Sequence, residues 1–387
     1  MFALGGLAAI LLSVAAGSAA FAQAPYHPAP PAPPHPPVHV PTLSVAATGL
    51  DSPRHLAFGP DGALYVAEAG AGGTDPARCT AVPSQLGGTT QACVGKTGAI
   101  GKLAHGTVSP VLSGLESVSQ ADTGEVLGPS AVAFGRGQLL VTMQDFTVQS
   151  DGSNLLPTGD ELGKLLTAGF GAPSYSWQLT PDLAAFAAAK PQPASSLGAG
   201  PGETAYDSDP YDLVAYRGGY AIADAAANDV LWLSPSGQLS KLATLPATAD
   251  GQAVPDALTV GPDGALYVGG LRGAPSTPGS ADVYRVVPGQ APAVYATGFS
   301  AITDLAFDRQ GALLVLEFNT GGLLGAPGTP GDLVKVANTP GHPHTVLVPN
   351  LVTPTGLAVG PDGAIYIANF GMGRHDGPNP GEIDVFK

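Results

Sequence analysis

The chain is poor in positive charge, in aromatic side chains and in cysteine. Its 387 residues hold 15 Lys and Arg against 30 Asp and Glu, which leaves a net charge of −15, and aromatic residues make up 6%. This balance argues against nucleic acid or an anionic membrane as a partner, because both attract basic surfaces. It favours solubility or the binding of cations.

Recognisable catalytic motifs are also missing. The sequence has no Ser-centred nucleophile elbow and no HExxH motif, and the Gly-rich stretch 320–331 has neither a Lys nor a following helix, so it is not a phosphate loop. Charged residues amount to only 12%, which leaves little for amphipathic helices. Glycine and proline are abundant instead, with 54 and 39 copies, as expected for many short strands joined by tight turns.

The N-terminal region predicts export. Residues 1–22 form a short apolar run that ends in the small-x-small pattern at 20–22, which indicates a signal peptide; no Lys or Arg precedes the run, so the alternative is a retained anchor. Residues 23–42 are so rich in proline that we expect an extended linker, whose His27, His35 and His39 have no fixed geometry for a metal. With the signal peptide removed, we expect no membrane span and a secreted or periplasmic protein.

A β-hairpin pattern recurs along the rest of the chain. It is clearest in 354–369, where an apolar strand, the turn Gly-Pro-Asp-Gly at 360–363 and a β-branched and aromatic strand follow one another. Six such copies predict an all-β fold, a six-bladed β-propeller that spans 43–387 as one domain. The aligned residues are Leu56, Val132, Val214, Leu258, Leu305 and Leu357.

The two ends of 43–387 are expected to complete one blade. The chain ends in a third strand at 381–387 with no fourth strand after it, and 43–49 has the pattern of a fourth strand with no blade before it. Pairing of this N-terminal strand with the C-terminal blade would close the ring and remove the open edges of a linear array.

The only cysteines, Cys79 and Cys93, lie in one Gly- and Thr-rich insertion. In a chain that we expect to be exported, this spacing predicts a disulfide that closes a local loop. A redox pair or a metal site would need a closer spacing and further His or Cys residues nearby.

In a propeller, the first residues of each first strand and the last residues of each second strand lie on one face, the top face, where the long insertions also gather. The pattern places an Arg, a His, an amide and six carboxylates there. The candidate ligand-binding residues are Arg54, His55, Glu68, Asp212, Asp224, Asp256, Asp304, Glu317 and Asn369.

Four of these candidates share one register at the ends of second strands. Glu68, Asp224, Glu317 and Asn369 offer the oxygen ligands that suit Ca²⁺ or Mg²⁺, so they are the candidate metal ligands, with Ca²⁺ as the candidate cofactor. The alternative is structural, because such residues at strand ends also cap turns by bonding to neighbouring backbone N–H groups. Without a cation, a cluster of like charges should raise some of its own pKa values.

The first blade resembles a known family. The phrase ATGLDSPRHLAFGPDGALYVAEAG at 47–70, the insertion with its cysteine pair, TGAI at 97–100 and LGPSAVAF at 127–134 resemble the ScyD/ScyE family of exported propellers with NHL-like repeats. The resemblance extends over essentially all of 43–387. It implies an exported β-propeller, and some members are associated with scytonemin biosynthesis gene clusters. It implies no settled reaction and no catalytic residue that can be matched by position.

Two classes of function remain open at this point. The first is a binding scaffold that holds a small molecule, a glycan or an envelope protein on its acidic top face. The second is an enzyme of the kind found on six-bladed propellers: a Ca²⁺-dependent, lactonase-like hydrolase or a quinone-dependent sugar dehydrogenase with His55 as base and Arg54 as an anion contact. The enzyme alternative rests on fold analogy alone.

Overall fold

A computed structural model describes residues 42–83, 88–145, 156, 161–171, 177–189, 192–193, 204–205, 208–248, 251–323, 325–326, 328–373, 377 and 379–387. The expected signal peptide at 1–22 and, apart from Thr42, the expected linker at 23–42 lie outside this part of the chain. Within it, no helix is long and apolar enough to span a membrane.

Strand is the main secondary structure of the described chain and helix is almost absent, as the composition predicted. One 3-10 helix covers Pro76–Arg78, and one short helix, α1, covers Leu183–Ala188. The strands are β1 (Leu43–Leu50), β2 (Pro53–Phe58), β3 (Leu64–Glu68), β4 (Cys79–Pro83), β5 (Thr89–Ala104), β6 (Thr107–Gln120), β7 (Val126–Leu127), β8 (Pro129–Gly135), β9 (Gln138–Met143), β10 (Lys164–Gly169), β11 (Trp177–Asp182), β12 (Gln192–Pro193), β13 (Thr204–Ala205), β14 (Pro210–Tyr216), β15 (Gly219–Asp224), β16 (Asp229–Leu233), β17 (Leu239–Thr244), β18 (Pro255–Val260), β19 (Leu266–Gly270), β20 (Ala281–Val286), β21 (Ala293–Phe299), β22 (Ile302–Phe307), β23 (Leu313–Glu317), β24 (Gly331–Val336), β25 (His344–Leu351), β26 (Gly356–Val359), β27 (Ile365–Asn369) and β28 (Gly381–Phe386).

These strands form a series of antiparallel sheets. Sheet 1 consists of β2, β3, β5, β6 and β7 with β4 beside β5, and sheets 2, 3, 4 and 5 are the four-stranded units β8–β11, β14–β17, β18–β21 and β22–β25. Sheet 6 consists of β26, β27 and β28 with the N-terminal β1 as its fourth strand. A separate two-stranded sheet pairs β12 with β13.

The hydrophobic cores lie between consecutive sheets, because each strand points alternate side chains to opposite faces. One cluster contains Val66 of sheet 1 and Ile383 of sheet 6, and another contains Val283 of sheet 4 and Val315 of sheet 5. Corresponding clusters fill the spaces between sheets 1 and 2, 2 and 3, 3 and 4, and 5 and 6. Each sheet is thus apolar on both faces, which is the packing of propeller blades.

The hairpin turns follow the chemistry that their residues dictate. Between β2 and β3, Asp61 Oδ1 accepts a hydrogen bond from Ala63 N at 3.2 Å, and Gly62 takes a φ of 77°, in the left-handed region that favours glycine. Asp61 Oδ2 also accepts from Lys102 Nζ on β5 at 2.6 Å. The turn carboxylate therefore ties the hairpin to the third strand of its sheet.

The register of sheet 3 corrects one position of the sequence alignment. The residue that pairs two places before the end of the second strand is Leu213, opposite Ile222, and not Val214. The alignment matched the aromatic Tyr216 to the phenylalanines of other hairpins. In the structure Tyr216 pairs with Gly219 directly beside a two-residue turn, one place further along the strand.

The long insertion after β3 forms a ribbon that extends sheet 1. β5 and β6 have 16 and 14 residues, and β4 pairs with the first part of β5 so that Cys79 lies opposite Cys93. The two cysteines form the predicted disulfide. Val94 and Val118 of the ribbon belong to the same core as Met143 of sheet 2, so the ribbon packs against the neighbouring sheet.

Candidate functional site

The starts of the first strands and the ends of the second strands lie together at one edge of each sheet. Pro53 pairs with Glu68, and Pro210 pairs with Asp224. The candidate residues named from the sequence are therefore all at or beside this edge, which we call the site edge.

The four candidate metal ligands make local hydrogen bonds there. Each accepts a bond from a backbone N–H of the connector that leads into its own sheet. The bonds run from Asp51 N to Glu68 Oε2 (3.1 Å), from Asp209 N to Asp224 Oδ1 (2.9 Å), from Ser300 N to Glu317 Oε1 and from Val352 N to Asn369 Oδ1 (2.9 Å). This repetition in four sheets matches the capping role that was the structural alternative.

The three carboxylates among these four residues form no close group in the described part of the chain. Glu68, Asp224 and Glu317 do not appear together in any group of close ligand atoms within the described chain. Burial raises the pKa of Asp224 to about 6, and burial together with Asp332, which lies opposite on β24, raises the pKa of Glu317 to about 8. A Ca²⁺ site on these residues stays a prediction.

Three other candidates do converge. His55, Asp212 and Asp304 are each the third residue of a first strand, in sheets 1, 3 and 5. Among the described His, Cys, Asp and Glu side chains, these are the ones whose ligand atoms lie within 4.8 Å of one another. We call them the axial triad.

Small residues occupy the same position in the alternate sheets. The third residue of β8 is Ala131, the third of β18 is Ala257, and β26 begins with Gly356. A Cβ at Gly356 would collide with the carbonyl oxygen of Arg54. Alternation of large polar and small residues therefore gives the three triad side chains the space to meet.

His55 is an imidazolium ion in this arrangement. Its Nδ1 lies 2.9 Å from Asp212 Oδ1, and its Nε2 lies 2.9 Å from the carbonyl oxygen of Thr303. A carbonyl and a carboxylate can only accept, so both ring nitrogens donate. Burial alone would lower the pKa of His55, but the charges of Asp212 and Asp304 outweigh it and raise the pKa to about 9.

The triad carboxylates also accept hydrogen bonds from backbone donors. Asp212 accepts from Leu213 N and Leu258 N, both at 2.7 Å, and Asp304 accepts from Leu305 N and Leu357 N, both at 2.6 Å. In each case the second donor belongs to the first strand of the next sheet. A metal ion would have to displace the His55 proton and compete with these bonds, so the donor set does not fit a metal site and acts as a tie between sheets.

A second group lies at the position before the triad in the first strands. Arg54, Tyr211 and Asp256 are the second residues of β2, β14 and β18, and all three are buried. We call them the mouth cluster. The ring of Tyr211 meets the His55 imidazole edge-on at 5.3 Å between centroids, so the mouth cluster adjoins the axial triad.

Asp256 is the unusual member of the mouth cluster. The residue is only 1% exposed, and neither carboxylate oxygen has a hydrogen-bond partner among the residues that the structure describes. Burial raises the pKa of Asp256 well above its usual range; the positive charge of His55 opposes this shift, and the negative charges of Glu125 and Asp212 add to it. Burial therefore favours the neutral acid form of Asp256 over its carboxylate.

The structure thus brings together five of the nine candidates, namely Arg54, His55, Asp212, Asp256 and Asp304. Sequence reasoning missed Tyr211 and Glu125. Tyr211 was hidden by the one-residue alignment shift in sheet 3, since its true position is that of Arg54 and Asp256. Glu125 precedes β7 at the end of the ribbon and belongs to no repeat, so no periodic signal could identify it.

The site belongs to a fold with many solved relatives. A protein from Thermus thermophilus, assigned as an oxidoreductase (glucose dehydrogenase), matches with a TM-score of 0.54 and 15% identity over 90% of this chain and 100% of that chain. The soluble aldose sugar dehydrogenase of Escherichia coli matches with a TM-score of 0.48 and 14% identity over 90% and 99%. A protein assigned as a gluconolactonase matches with a TM-score of 0.48 and 13% identity over 90% and 92%.

These similarities, at identities this low, concern the fold alone, and the fold is that of a β-propeller. No family model matches the sequence, and no curated protein matches it. The chain is therefore a β-propeller protein with a disulfide-linked ribbon and a buried, charged cluster at the site edge of its sheets.

Proposed function

We propose that the chain forms a closed six-bladed propeller of the ScyD/ScyE type and that it binds a ligand at the mouth cluster, on the axis of the ring. Closure is supported by β1, which supplies the fourth strand of sheet 6. It is also supported by Thr355, whose Oγ1 donates to the carbonyl oxygen of Pro53 at 2.7 Å and so links sheet 6 to sheet 1.

The same link recurs elsewhere around the proposed axis. Ser130 Oγ donates to Pro210 O at 2.9 Å, and Thr303 Oγ1 donates to Pro354 O at 3.0 Å. Each of these bonds joins the first strand of one sheet to the start of the next first strand. These three ties between neighbouring first strands support an arrangement in which the second and third residues of the first strands lie around one central point.

One observation carries the binding proposal: the orphaned carboxyl group of Asp256. A buried polar group without a partner costs about 1–3 kcal/mol, and such groups are rare in folded proteins unless they serve a function. Here the orphaned group adjoins Arg54, Tyr211 and a buried imidazolium, so the unmet hydrogen-bonding capacity lies beside the other charged and polar side chains of the site. The protein is thus an exported binding scaffold whose ligand is a small molecule, or the polar end of a glycan or an envelope protein.

The enzyme alternative requires a free base or a Ca²⁺ site, and the hydrogen bonds of these residues favour neither. A dehydrogenase that uses His55 as its base needs a free ring nitrogen, whereas both nitrogens donate and the pKa is about 9. A lactonase-like hydrolase needs Ca²⁺ on side chains that here bond to connector N–H groups. The fold similarity to an assigned glucose dehydrogenase keeps sugar chemistry as the second candidate, and it predicts activity that rises with pH through about 9 as His55 loses its proton.

The test is a thermal-shift screen of the full chain with sugars, sugar acids, lactones and short peptides. The variant is Asp256→Ala, and the matched control is Asp362→Ala, which removes an exposed carboxylate from the hairpin turn between β26 and β27. At the same ligand concentration, a ligand should raise the melting temperature of the wild type and of the control by more than that of Asp256→Ala, because a ligand that binds the folded site stabilises it in proportion to its affinity. Equal shifts in all three proteins would overturn the proposed site.

A further inference from the structure

The residues at the position directly before the axial-triad position fall into two sets. In sheets 2, 5 and 6 this position holds a hydroxyl residue that bonds to the carbonyl group of the next sheet, as described above for Ser130, Thr303 and Thr355. In sheets 1, 3 and 4 it holds the mouth cluster, which forms no such link within the described chain. Three of the six equivalent residues thus form structural ties between sheets. The other three carry donor or acceptor atoms without a hydrogen-bond partner in the described chain.

The guanidinium group of Arg54 is fixed by its environment. Its Nη2 donates to Val126 O at 2.7 Å, and its Nη1 donates to the carbonyl oxygen of Gly371. Within the described part of the chain, its buried Nε has no hydrogen-bond partner, like both oxygens of Asp256. The Tyr211 hydroxyl group makes no hydrogen bond to any residue that the structure describes, although Tyr211 is only 7% exposed.

We infer that the mouth cluster receives a carboxylate, with the Asp256 acid group, the Tyr211 hydroxyl and Arg54 Nε as three donors toward its oxygens. This inference rests on the proposed binding function and specifies its ligand class: an organic acid, such as a sugar acid. The three groups match a carboxylate because each can donate, and hydrogen bonds to a charged acceptor are the strong ones. The adjoining His55 imidazolium adds a favourable charge beneath them.

The protonation state of Asp256 determines whether the mouth cluster prefers a ligand with a carboxylate or a ligand with a positive charge. The charged groups that face Asp256 are His55 and Arg54, which are positive, and Glu125 and Asp212, which are carboxyl groups; Tyr211 adds a neutral phenol. Binding a carboxylate adds a negative charge next to Asp256 and therefore holds the proton on it. The affinity for a carboxylate should rise as the pH falls, whereas the affinity for a cation should rise as Asp256 ionises.

The experiment uses three probes that share one skeleton and differ in charge: gluconate, glucose and glucosamine. Their effect on the melting temperature of the full chain is measured from about pH 6 to about pH 9, and apparent Kd values are derived from the concentration dependence. We expect gluconate to bind most tightly, with an affinity that increases toward pH 6. Glucose should bind at least about tenfold more weakly, because it lacks the charged acceptor.

The variants distinguish the hydrogen-bond donor role of Asp256 from the effect of its titration. Asp256→Asn supplies a permanent N–H donor, so gluconate should still bind and its affinity should lose most of its pH dependence. Asp256→Ala and Tyr211→Phe each remove a donor and should weaken gluconate binding about tenfold. Asp362→Asn, at the exposed turn, should behave like the wild type in every respect.

Each remaining outcome has a distinct meaning. If glucosamine or glucose binds more tightly than gluconate and Asp256→Ala abolishes that binding, the site is a binding site but the carboxylate inference is wrong. If gluconate binds equally well to wild type and Asp256→Ala, the inference and the proposed location of the site both fail. If no probe shifts any melting temperature, the mouth cluster does not receive a carboxylate of this kind, and the wider ligand screen alone then decides the proposed function.

Discussion

His55 of β2 and Asp212 of β14 form a buried ion pair, 2.9 Å from Nδ1 to Oδ1, between sheets 1 and 3, which are separated by sheet 2. The other ring nitrogen bonds to the carbonyl group of Thr303 in sheet 5. The side chain of His55 thus links its own sheet 1 to sheets 3 and 5. A pair of this kind is sensitive to the loss of either partner, because the remaining charge stays buried without compensation.

Stability should therefore depend on the charge of His55. Its pKa is raised from 6.5 in the unfolded chain to about 9 in the folded protein, so its contribution is complete below about pH 6.5 and is lost as the pH rises through about 9. At 1.36 kcal/mol per pKa unit, the loss is about 3 kcal/mol. Urea unfolding at about pH 6.5 and about pH 9.5, followed by tryptophan fluorescence, measures it.

The His55→Gln variant tests this contribution together with the coupling of His55 to Asp304. Glu317 also has a raised pKa and reduces stability over part of the same pH range in both proteins, whereas the charge of His55 lowers the pKa of Asp304, so that pKa should rise further in the variant. We expect His55→Gln to be less stable than the wild type at about pH 6.5 and the difference to shrink toward about pH 9.5. A constant difference between the two proteins would show that His55 is neutral in the folded state.

Asp256→Ala should stabilise the protein in the absence of ligand. The substitution removes a buried acid that has no partner, and we expect a gain of about 1–3 kcal/mol in the free energy of unfolding. Asp304→Ala is the opposite case, because it leaves Leu305 N and Leu357 N without their acceptor and should destabilise. A destabilisation of similar size in both variants would mean that Asp256 also has a structural partner.

Thr355→Val should weaken the link between sheets 6 and 1. The change keeps the shape of the side chain but removes the hydroxyl donor to Pro53 O, which should cost about 1–3 kcal/mol because the carbonyl group is buried. Thr345→Val, on the exposed face of β25, is the control and should change little. Thr355→Ser restores the donor and should recover much of the loss.

Removal of the disulfide should loosen the ribbon and leave the axial triad intact. Cys79 and Cys93 are separated by 14 residues, so their bridge contributes about 3 kcal/mol in the chain-entropy model. In the Cys79→Ser/Cys93→Ser variant, hydrogen exchange should accelerate in β4 and in the paired part of β5. Exchange of Leu213 N, which bonds to Asp212, should stay slow; acceleration there would mean that the ribbon also supports the axial triad.

Glu317→Gln should raise stability at alkaline pH. The pKa of Glu317 is raised from 4.5 to about 8 by burial and by Asp332 opposite, so the folded state loses stability as the pH rises from about 4.5 to about 8, and Gln removes that cost while still accepting from Ser300 N. The two proteins should differ little at or below about pH 4.5, and the difference should be complete above about pH 8. A rise in wild-type melting temperature with millimolar Ca²⁺ that Glu317→Gln abolishes would instead assign a cation to this residue.

Much of this architecture could be predicted from the sequence because its signals are local. The turn around Asp61 and the apolar strands beside it repeat with little change, and in a chain that we expect to be exported two cysteines have one reasonable pairing. The polar residues of the first strands were also found by their position in the repeat. His55 and Asp304 therefore appeared among the candidates without any knowledge of which side chains meet.

The roles of these residues could not be predicted, because they depend on contacts between distant strands. A carboxylate at a strand end has the same sequence pattern whether it binds Ca²⁺ or caps a connector, as Glu68 does. The orphaned state of Asp256 is visible only when neighbouring sheets are in place. Tyr211 was missed because an aromatic residue near a turn, Tyr216, was a stronger alignment signal than the strand pairing itself.

The pairing of β1 with β28 has a consequence for the order of events in synthesis. Leu43 pairs with Phe386, so the first strand of the described chain must wait for a partner that the ribosome adds about 340 residues later. Until then β1 presents an unsatisfied edge and its apolar residues lack their core. We therefore expect sheet 6 to be the last to form, and nascent chains that lack β28 to be the species most dependent on chaperones.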